Sequence, residues 1–315
     1  MNFKNLKLIS GDASFRKFYK GKQGLIVYST KEKKSNLLIY DAVNKILNKN
    51  KIKAPKLISQ NYNKNYIEIE YLGKHSLYKK IINKKKIRFN YYKKIIKLLN
   101  KIQKIKDKKI NSFLNSRYTI PAYSRDILFK EACLFTKWYL PKIIAKKKQT
   151  RLKIQFHKIF KKFLNNLKNK NNIFVHRDFH VSNLIYENNN IGVLDSQDAL
   201  YGNPAYDLAS LIDDVRIKTS LKEKEKIYEE FVRVNKNINQ AQFKNDFEIL
   251  SILRNFKIIG IFTRLSQRDK KKQYLKLIPY AWNLIEMRIY KNPKFLELKN
   301  LIDLNFPKQK RIIKL

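Results

Sequence analysis

The chain has 315 residues, 43% of them hydrophobic and 13% aromatic, which is enough to bury one large core or two small ones. A disordered tail and a disulfide-stapled mini-protein are therefore excluded. The single cysteine, Cys133, forms neither a disulfide nor a zinc site within one chain, so we expect a reducing compartment, the cytoplasm. The sequence contains no stretch approaching about 18 consecutive apolar residues, and we expect no membrane insertion.

Net charge is the most extreme property of the composition, because 70 Lys and Arg against 25 Asp and Glu leave +45. Such a charge, taken alone, indicates polyanion binding. Only 13 of the 70 basic residues are Arg, however, and the planar Arg fork is what phosphate and base-edge recognition favours. The lysines accompany many Ile and Asn and few Gly and Pro, as codons rich in A and T would produce. We therefore expect no specific nucleic-acid partner.

Residues 1–72 have the pattern of a small antiparallel α+β unit. Leu25–Tyr28 is a β-branched run, Ser35–Leu47 has helical spacing, and Tyr66–Tyr71 alternates apolar and polar residues. Beyond this point the hydrophobic pattern becomes mainly helical. We predict a lobe boundary here, with residues 73–315 forming a larger, mostly α-helical lobe.

The helical hydrophobic pattern is interrupted by two short apolar runs that predict strands, Ile173–Val175 and Ile191–Leu194. Each leads into a polar cluster, and Asn188–Asn190 supplies a turn before the second strand, which predicts a hairpin. Later in the chain Tyr274–Ile289 has helical spacing, and we expect Pro279 to break or kink that helix.

The polar clusters of this predicted hairpin have the spacing of a phosphoryl-transfer site. The segment beginning at His176 contains H-R-D-x-x-x-x-N, and the next strand ends at an Asp. Phosphoryl transfer needs a carboxylate to orient the attacking hydroxyl and oxygen ligands to hold Mg²⁺ against the nucleotide phosphates. We assign Asp178 as the base, and Asn183 and Asp195 as the metal ligands.

The distance in sequence from Asp195 to Asp207 narrows the class of phosphoryl acceptor. Only Ser196–Tyr206 separate Asp195 from Asp207, which leaves no room for the long activation segment of a protein kinase. We therefore expect a small-molecule acceptor and a structural role for Arg177. Asp207 is expected at a helix start, bracing the catalytic loop.

The segments His176–Asn183, Gly192–Gly202 and Pro204–Ala209 resemble the aminoglycoside phosphotransferase family of kinase-like enzymes. The resemblance implies an α+β, two-lobed protein-kinase-like fold with ATP and Mg²⁺ as cofactors. Residues 1–72 would form the nucleotide-binding lobe, and residues 73–315 the catalytic and substrate-binding lobe.

Three outer segments resemble one branch of that family, the anomeric kinases of N-acetylmuramate and N-acetylglucosamine in peptidoglycan recycling. They are Gly11–Phe18, Glu131–Tyr139, and Phe256–Leu265 with the following Arg268 and Asp269. The resemblance implies an amino sugar as the small-molecule substrate, phosphorylated on its anomeric hydroxyl.

The same resemblance implies a nucleotide site. Gly11, Ser14 and Arg16 would lie in the turn over the phosphates, where a Gly lets backbone N–H groups approach. Glu70 and Leu72 would belong to the hinge that contacts adenine through its backbone. An ordinary surface hairpin and an edge strand joining two lobes are the structural alternatives.

The sugar side is implied by Glu131, Trp138 and Tyr139, although Glu131 and Trp138 at i and i+7 also fit an ordinary core-facing helix stripe. Asp198 either supports the metal ligand and orients the acceptor, or caps a turn. His176, beside the base, lacks a second His or Cys at metal spacing and is interpreted as hydrogen-bonding scaffold.

Two departures from the family pattern leave alternatives open. Leu25–Thr30 lacks the usual strand lysine, so either Arg16 or one of the flexible lysines 31, 33 and 34 takes over the phosphate charge, or nucleotide affinity is weak. Ser196 stands where the pattern has an aromatic residue, and we expect a lost packing contact behind Asp195. The competing functions are a kinase of another small alcohol, such as an aminoglycoside, choline or thiamine, and a degenerate, non-catalytic nucleotide- or nucleic-acid-binding protein.

Overall fold

The computed structural model describes residues 7–10, 16–84 and 87–313. These residues divide into two compact units. The first unit comprises the described residues of 1–122 together with 173–201, and the second comprises 123–172 together with 202–313. No helix in the described part of the chain is both long and apolar enough to cross a membrane.

The first unit begins with a five-stranded antiparallel sheet in the order β1-β2-β3-β5-β4. Its strands are β1 (Leu8–Ser10), β2 (Lys17–Lys20), β3 (Leu25–Tyr28), β4 (Leu57–Asn61) and β5 (Tyr66–Ile69). Helix α1 (Ser35–Lys49) places Leu37 and Tyr40 against Val27 and Ile67 of the sheet. The strand and helix predicted in this region are confirmed, because apolar periodicity alone determines which face each element buries.

The rest of the first unit contains two helices and three short strand pairs. The helices are α2 (Leu77–Ile81) and α3 (Arg88–Gln103), and the strands are β6 (Lys109–Asn111), β7 (Arg117–Thr119), β8 (Ile173–Val175), β9 (Leu184–Glu187), β10 (Asn190–Val193) and β11 (Leu200–Gly202).

The predicted hairpin exists, but its first strand is β9 and not Ile173–Val175, which pairs with β11. The tight turn between β9 and β10 holds Asn188 and Asn189 at φ of 49° and 60°, the left-handed values that a two-residue hairpin turn requires. Periodicity could not distinguish the two apolar runs as pairing partners.

Backbone contacts join this hairpin to the N-terminal part of the first unit. The Val193 N–H donates to the Lys53 carbonyl at 2.8 Å, and a Cβ on Gly192 would lie 2.8 Å from Leu72 Cδ1. A side chain at position 192 would therefore require the end of the Leu72 side chain to move. The division by contacts consequently differs from the predicted boundary, since residue 73 lies inside the first unit. The functional assignment of residues 1–72 and 73–315 stays a prediction.

The second unit is helical. Its helices are α4 (Arg125–Ala132), α5 (Leu140–Ile143), α6 (Lys146–Asn165), α7 (Ala205–Ile212), α8 (Leu221–Val234), α9 (Gln240–Arg268), α10 (Ile278–Ile289) and α11 (Leu296–Asn305). Pro279 occupies the first turn of α10, so it begins this helix where we expected a break or kink. The preceding residues Lys272–Leu277 are a separate 3-10 turn.

Helix α9 crosses the centre of the second unit. A Cβ on Gly260 would lie 2.3 Å from the Leu134 carbonyl carbon, which explains a glycine in the middle of a 29-residue helix. Around this crossing the rings of Phe135, Phe256 and Trp282 pack with centroids 4.7 to 5.8 Å apart, the spacing of favourable aromatic pairs.

A buried hydrogen bond links α1 to the turn after β10. The Ser196 hydroxyl donates to Asn44 Oδ1 at 2.6 Å, across 152 residues of sequence, and neither residue is more than 3% exposed. The lost packing contact expected at Ser196 is therefore replaced by a polar contact to the helix.

The second unit contains a buried charge cluster around Asp213, at the end of α7. Lys224 Nζ and Arg288 Nη2 each lie 3.1 Å from its carboxylate, and the Ser251 hydroxyl donates to it at 2.5 Å. Burial by itself raises the pKa of Asp213, but the two cations and the hydroxyl together hold it well below its ordinary value.

We expect Ser196→Ala to lower the free energy of unfolding by about 1–3 kcal/mol, because Asn44 Oδ1 would be buried without a donor. Ser196→Phe should cost about 1–3 kcal/mol through overpacking. The double variant Ser196→Phe with Asn44→Ala should recover part of the lost stability, because the smaller alanine makes room for the ring. Urea unfolding of the single and double variants measures this coupling. Strictly additive costs would contradict the contact.

We expect Asp213→Asn to lower the free energy of unfolding by about 3–5 kcal/mol, because two buried cations lose their counter-charge. A carboxylate with a depressed pKa stabilises the fold above its unfolded-state pKa, about 4, and this contribution is lost as the pH falls through its folded-state value. Wild type should therefore lose more stability on acidification than the variant. The control Asp303→Asn removes the more exposed pair with Lys299 and should cost about 1 kcal/mol or less. Equal acid sensitivity of wild type and Asp213→Asn would contradict this assignment.

Candidate active site

The loop after β8 carries the predicted base. Asp178 is half-buried, and its main-chain carbonyl accepts hydrogen bonds from Asn183 Nδ2 and from the His180 N–H, both at 3.0 Å. Arg177, one residue earlier, has a φ of 78°, a left-handed conformation that costs energy for a residue with a side chain. The loop is thus closed on itself around Asp178 by its own polar groups.

The two predicted metal ligands stand side by side at the base of the hairpin. Asn183 immediately precedes β9, Asp195 follows β10 after one residue, and Val193 pairs with Leu184. The Leu194 N–H donates to the Asn183 carbonyl at 2.9 Å. Asp195 has a φ of 61° and begins the 3-10 turn Ser196–Asp198. The structure therefore brings Asn183 and Asp195 together through main-chain contacts.

His176 is a fully buried part of the same framework. Its Nε2 donates to the carbonyl of Leu194 at 2.9 Å. Leu194 is the residue directly before Asp195. This contact ties the start of the catalytic loop to the strand that carries Asp195. The hydrogen-bonding role assigned to His176 agrees with this geometry.

The carboxylate of Asp195 has a cation beside it. Arg16 Nη2 lies 2.5 Å from Asp195 Oδ1, and Arg16 Nη1 donates to Gln197 Oε1 at 2.7 Å. Arg16 is 2% exposed, and its guanidinium carbon lies 5.3 Å from the centroid of the Tyr40 ring. Burial raises the pKa of Tyr40 to about 12, and the charge of Asp195 adds to this increase, so the phenol stays neutral.

Tyr40, Asn44 and Gln197 are the members of this cluster that sequence reasoning missed. Tyr40 and Asn44 are four residues apart in α1 and share its buried face. The signal that marked Asn44 was a polar residue within the apolar stripe of α1, a signal that it shares with the buried Asp41.

The donor set around Asp195 suits Mg²⁺. The Asn183 side chain uses its Nδ2 on the loop, which leaves an amide oxygen as a ligand. Among the described residues, the hydrogen bonds to Asp195 all fall on Oδ1, so Oδ2 remains for a cation. No cluster of three or more His, Cys, Asp or Glu suited to a metal ion exists in the described ranges. Mg²⁺ typically needs one or two protein oxygens together with substrate phosphates, and two are present.

The structure describes some of the residues that we predicted to bind nucleotide and not others. Gly11 and Ser14 lie outside the described residues. Glu70 directly follows β5, and its N–H donates to the Lys56 carbonyl at 2.8 Å. Leu72 is 4% exposed, so the side chain of this predicted hinge residue packs inward against the hairpin.

The basic residues that could replace the missing strand lysine are also separated. Lys31 and Lys33 belong to an exposed 3-10 turn, and Lys34 Nζ lies 4.6 Å from the Tyr62 ring centroid. Arg16 is the candidate that contacts Asp195.

Asp198 is exposed at the end of the 3-10 turn. It accepts from Gln197 Nε2 at 2.9 Å, and Arg177 Nη1 lies 3.7 Å from its Oδ1. Arg177 thus has a carboxylate partner within the loop region, in keeping with a structural role. Whether Asp198 orients the acceptor stays a prediction.

The predicted sugar-side residues belong to the second unit. Glu131 is 9% exposed, and its carboxylate accepts from the Tyr123 hydroxyl and lies 3.0 Å from Lys257 Nζ. Lys257 also donates to the Tyr206 hydroxyl at 3.3 Å. Glu131 is therefore the centre of a buried polar cluster.

The two predicted aromatic sugar contacts, Trp138 and Tyr139, differ in their burial. Trp138 is half-buried, whereas Tyr139 is 0% exposed. The Tyr139 hydroxyl donates to the Arg311 carbonyl at 2.7 Å and accepts from Trp282 Nε1 at 3.0 Å. Tyr139 thus fits the core alternative and not a sugar contact. Asp207 lies in the first turn of α7, at the expected helix start.

Comparison with known proteins agrees with this arrangement of residues. A profile described as "Phosphotransferase enzyme family" matches residues 5–240. An N-acetylmuramate/N-acetylglucosamine kinase of Pseudomonas aeruginosa is 24% identical over 305 residues, covering 93% of this chain and 86% of the relative.

Solved structures show the same fold at lower identity. A choline/ethanolamine kinase family protein from Mesorhizobium loti aligns with a TM-score of 0.63 at 10% identity, over 95% of this chain and 92% of the other. An ADP-bound aminoglycoside phosphotransferase aligns with a TM-score of 0.60 at 15% identity, over 90% and 93%.

The family match covers well over half of the chain, and it includes the catalytic loop and the hairpin that carry Asp178, Asn183 and Asp195. The fold is the expected α+β protein-kinase-like fold, with an antiparallel sheet near the N-terminus and a helical majority. The chain belongs to the phosphotransferase enzyme family and is an ATP-dependent kinase.

Proposed function

We propose that this kinase transfers the γ-phosphoryl group of ATP to the anomeric hydroxyl of an N-acetylated amino sugar, N-acetylmuramate or N-acetylglucosamine. The observation that carries the proposal is the grouping of Asp178, Asn183 and Asp195 on the loop and hairpin of the first unit. The name of the Pseudomonas aeruginosa relative supports the sugar acceptor. Such a reaction belongs to peptidoglycan recycling in the cytoplasm.

Asp178 would accept the proton of the attacking hydroxyl and hold its oxygen in line with the γ-phosphorus. Phosphoryl transfer requires little covalent chemistry from the protein, so positioning and charge stabilisation provide most of the rate. The hydrogen bonds to the Asp178 carbonyl restrict the loop and therefore the direction of this carboxylate.

Asn183 and Asp195 would hold Mg²⁺ through an amide and a carboxylate oxygen. The ion, when bound, neutralises charge that develops on the phosphate oxygens. Arg16, Gly11 and Ser14 would contact the nucleotide phosphates, and the backbone at Glu70–Leu72 would contact the base.

On the acceptor side, Glu131 and Trp138 are the proposed sugar contacts, and Asp198 the proposed aid to acceptor orientation. A pyranose suits an aromatic face beside a carboxylate. The second candidate function is phosphorylation of another small alcohol, since the fold neighbours include kinases named for choline and for aminoglycosides.

Replacing the base tests the chemical assignment. A positioned general base contributes about 10²- to 10⁴-fold, so Asp178→Asn should lower kcat by that order and leave nucleotide affinity nearly unchanged. The control Asp126→Asn removes an exposed carboxylate of α4 and should leave kcat close to wild type. Single-turnover kinetics establish that chemistry limits the rate. More than about a third of wild-type turnover in Asp178→Asn would show that another group is the base.

The product identifies the hydroxyl. With N-acetylglucosamine or N-acetylmuramate we expect a sugar 1-phosphate, in which phosphorus NMR shows coupling to the anomeric proton and the reducing end is lost. The methyl glycoside of N-acetylglucosamine, whose anomeric oxygen is blocked, should not be phosphorylated. Phosphate on a primary hydroxyl, or turnover of an aminoglycoside with neither sugar accepted, would favour the second candidate function.

A further inference from the structure

Asp195 has a cationic partner within the chain, Arg16. Arg16 donates to its Oδ1 from a side chain that is 3% exposed, whereas the Asp195 side chain is 41% exposed. Gln197 Oε1 and the Tyr40 ring fix the guanidinium from two further directions. The cation is therefore enclosed by protein, and the carboxylate is approached from solvent on its other side.

A guanidinium in this position competes with a divalent cation. Both charges would be attracted to one carboxylate, and two cations held by the same partly buried carboxylate repel each other. Metal binding to the nucleotide-free protein is thus opposed by Arg16. The triphosphate of a nucleotide carries enough negative charge to pair with a guanidinium and a metal ion together. Arginine binds phosphate oxygens as readily as carboxylates.

The position of Arg16 in the chain suits such an exchange. It lies immediately before β2, at the end of the segment that the sequence associates with the phosphate turn. β3 carries no lysine, and Lys34 stacks on Tyr62 instead of reaching Asp195. A second tie, from Ser196 to Asn44, keeps the turn behind Asp195 anchored to α1 independently of Arg16.

We propose that Arg16 is a positioning residue and the resident counter-ion of the metal-binding carboxylate. It holds Asp195 in place while no nucleotide is bound, and it transfers from Asp195 to the nucleotide phosphates when metal and nucleotide bind together. The consequence is that metal binds poorly without nucleotide. The inference rests on the proposed use of ATP and Mg²⁺ but not on the identity of the acceptor.

The test measures Mn²⁺ affinity by electron paramagnetic resonance, with and without a non-hydrolysable ATP analogue, in the full-length protein. Without nucleotide, Arg16→Gln should bind Mn²⁺ more tightly than wild type, on the order of tenfold, because a repelling charge is removed. With the analogue, the same variant should bind the Mn²⁺–nucleotide complex more weakly, on the order of tenfold, because a phosphate partner is lost.

Two further variants separate this exchange from a general loss of charge or of structure. Lys17→Gln removes a positive charge from the neighbouring exposed residue and should change both affinities less than threefold, because exposed charges are screened. Arg16→Lys keeps the charge and should restore the low Mn²⁺ affinity of the nucleotide-free protein. Thermal melting reports whether each variant is folded.

Opposite changes in the two Mn²⁺ affinities support the proposal. Equal affinities of wild type and Arg16→Gln without nucleotide, weaker binding in both conditions, or no Mn²⁺ binding by either protein would overturn it. Unfolding of Arg16→Gln together with a failure of Arg16→Lys to reproduce the wild-type affinities would also overturn it. A protein that binds Mn²⁺ and ATP as predicted but phosphorylates no amino sugar would refute only the proposed acceptor.

Discussion

The main-chain hydrogen bond from Leu194 to Asn183 is the contact on which the candidate site depends. At 2.9 Å it extends the β9–β10 ladder by one step and sets Asn183 beside the strand that leads to Asp195. A shift of one residue in that register would turn every side chain of the shifted strand to the opposite face of the hairpin. The relative position of the two metal-ligand candidates is therefore a property of backbone pairing and does not depend on the packing of either side chain.

Sequence reasoning succeeded where the determining contacts are local. Asp178, Asn183 and Asp195 lie within 18 residues of one another, so motif spacing was enough to group them. The sheet strand Leu25–Tyr28 and helix α1 were equally predictable, because each buries a face that its own periodicity defines.

Sequence reasoning failed where the determining contact joins distant parts of the chain. The Arg16–Asp195 pair spans 179 residues and the Ser196–Asn44 bond spans 152, and no local pattern specifies such partners. The error over the first strand of the hairpin has the same origin, since two short apolar runs give identical patterns while only tertiary contacts decide which one pairs. Pro279 is a different case. The hydrophobic pattern is helical on both sides of this proline, and that pattern does not distinguish a proline that interrupts a helix from one that begins it.

The two departures from the family pattern form one consistent local arrangement. The missing strand lysine coincides with an arginine that reaches Asp195 from the beginning of β2. The missing aromatic residue at Ser196 coincides with an asparagine on α1 that accepts its hydroxyl. Each departure viewed alone would indicate a degenerate site. Each departure is instead accompanied by a specific polar contact of its own, and such local consistency is typical of a functional arrangement.

The buried ion pairs show how part of the charge behind the net value of +45 is distributed in the fold. Several enclosed cations are each matched by a carboxylate, in the pairs Arg16–Asp195, Lys224–Asp213, Lys257–Glu131 and Arg311–Glu286. These four carboxylates are placed where an unpaired cation would be most costly, whereas other acidic residues, such as Glu297 and Asp303, lie exposed beside surface lysines. A surface charge of this kind accelerates the approach of any polyanion, ATP included, without distinguishing among them. Selectivity for phosphoryl transfer must therefore come from the few charges around Asp195 and not from the many outside.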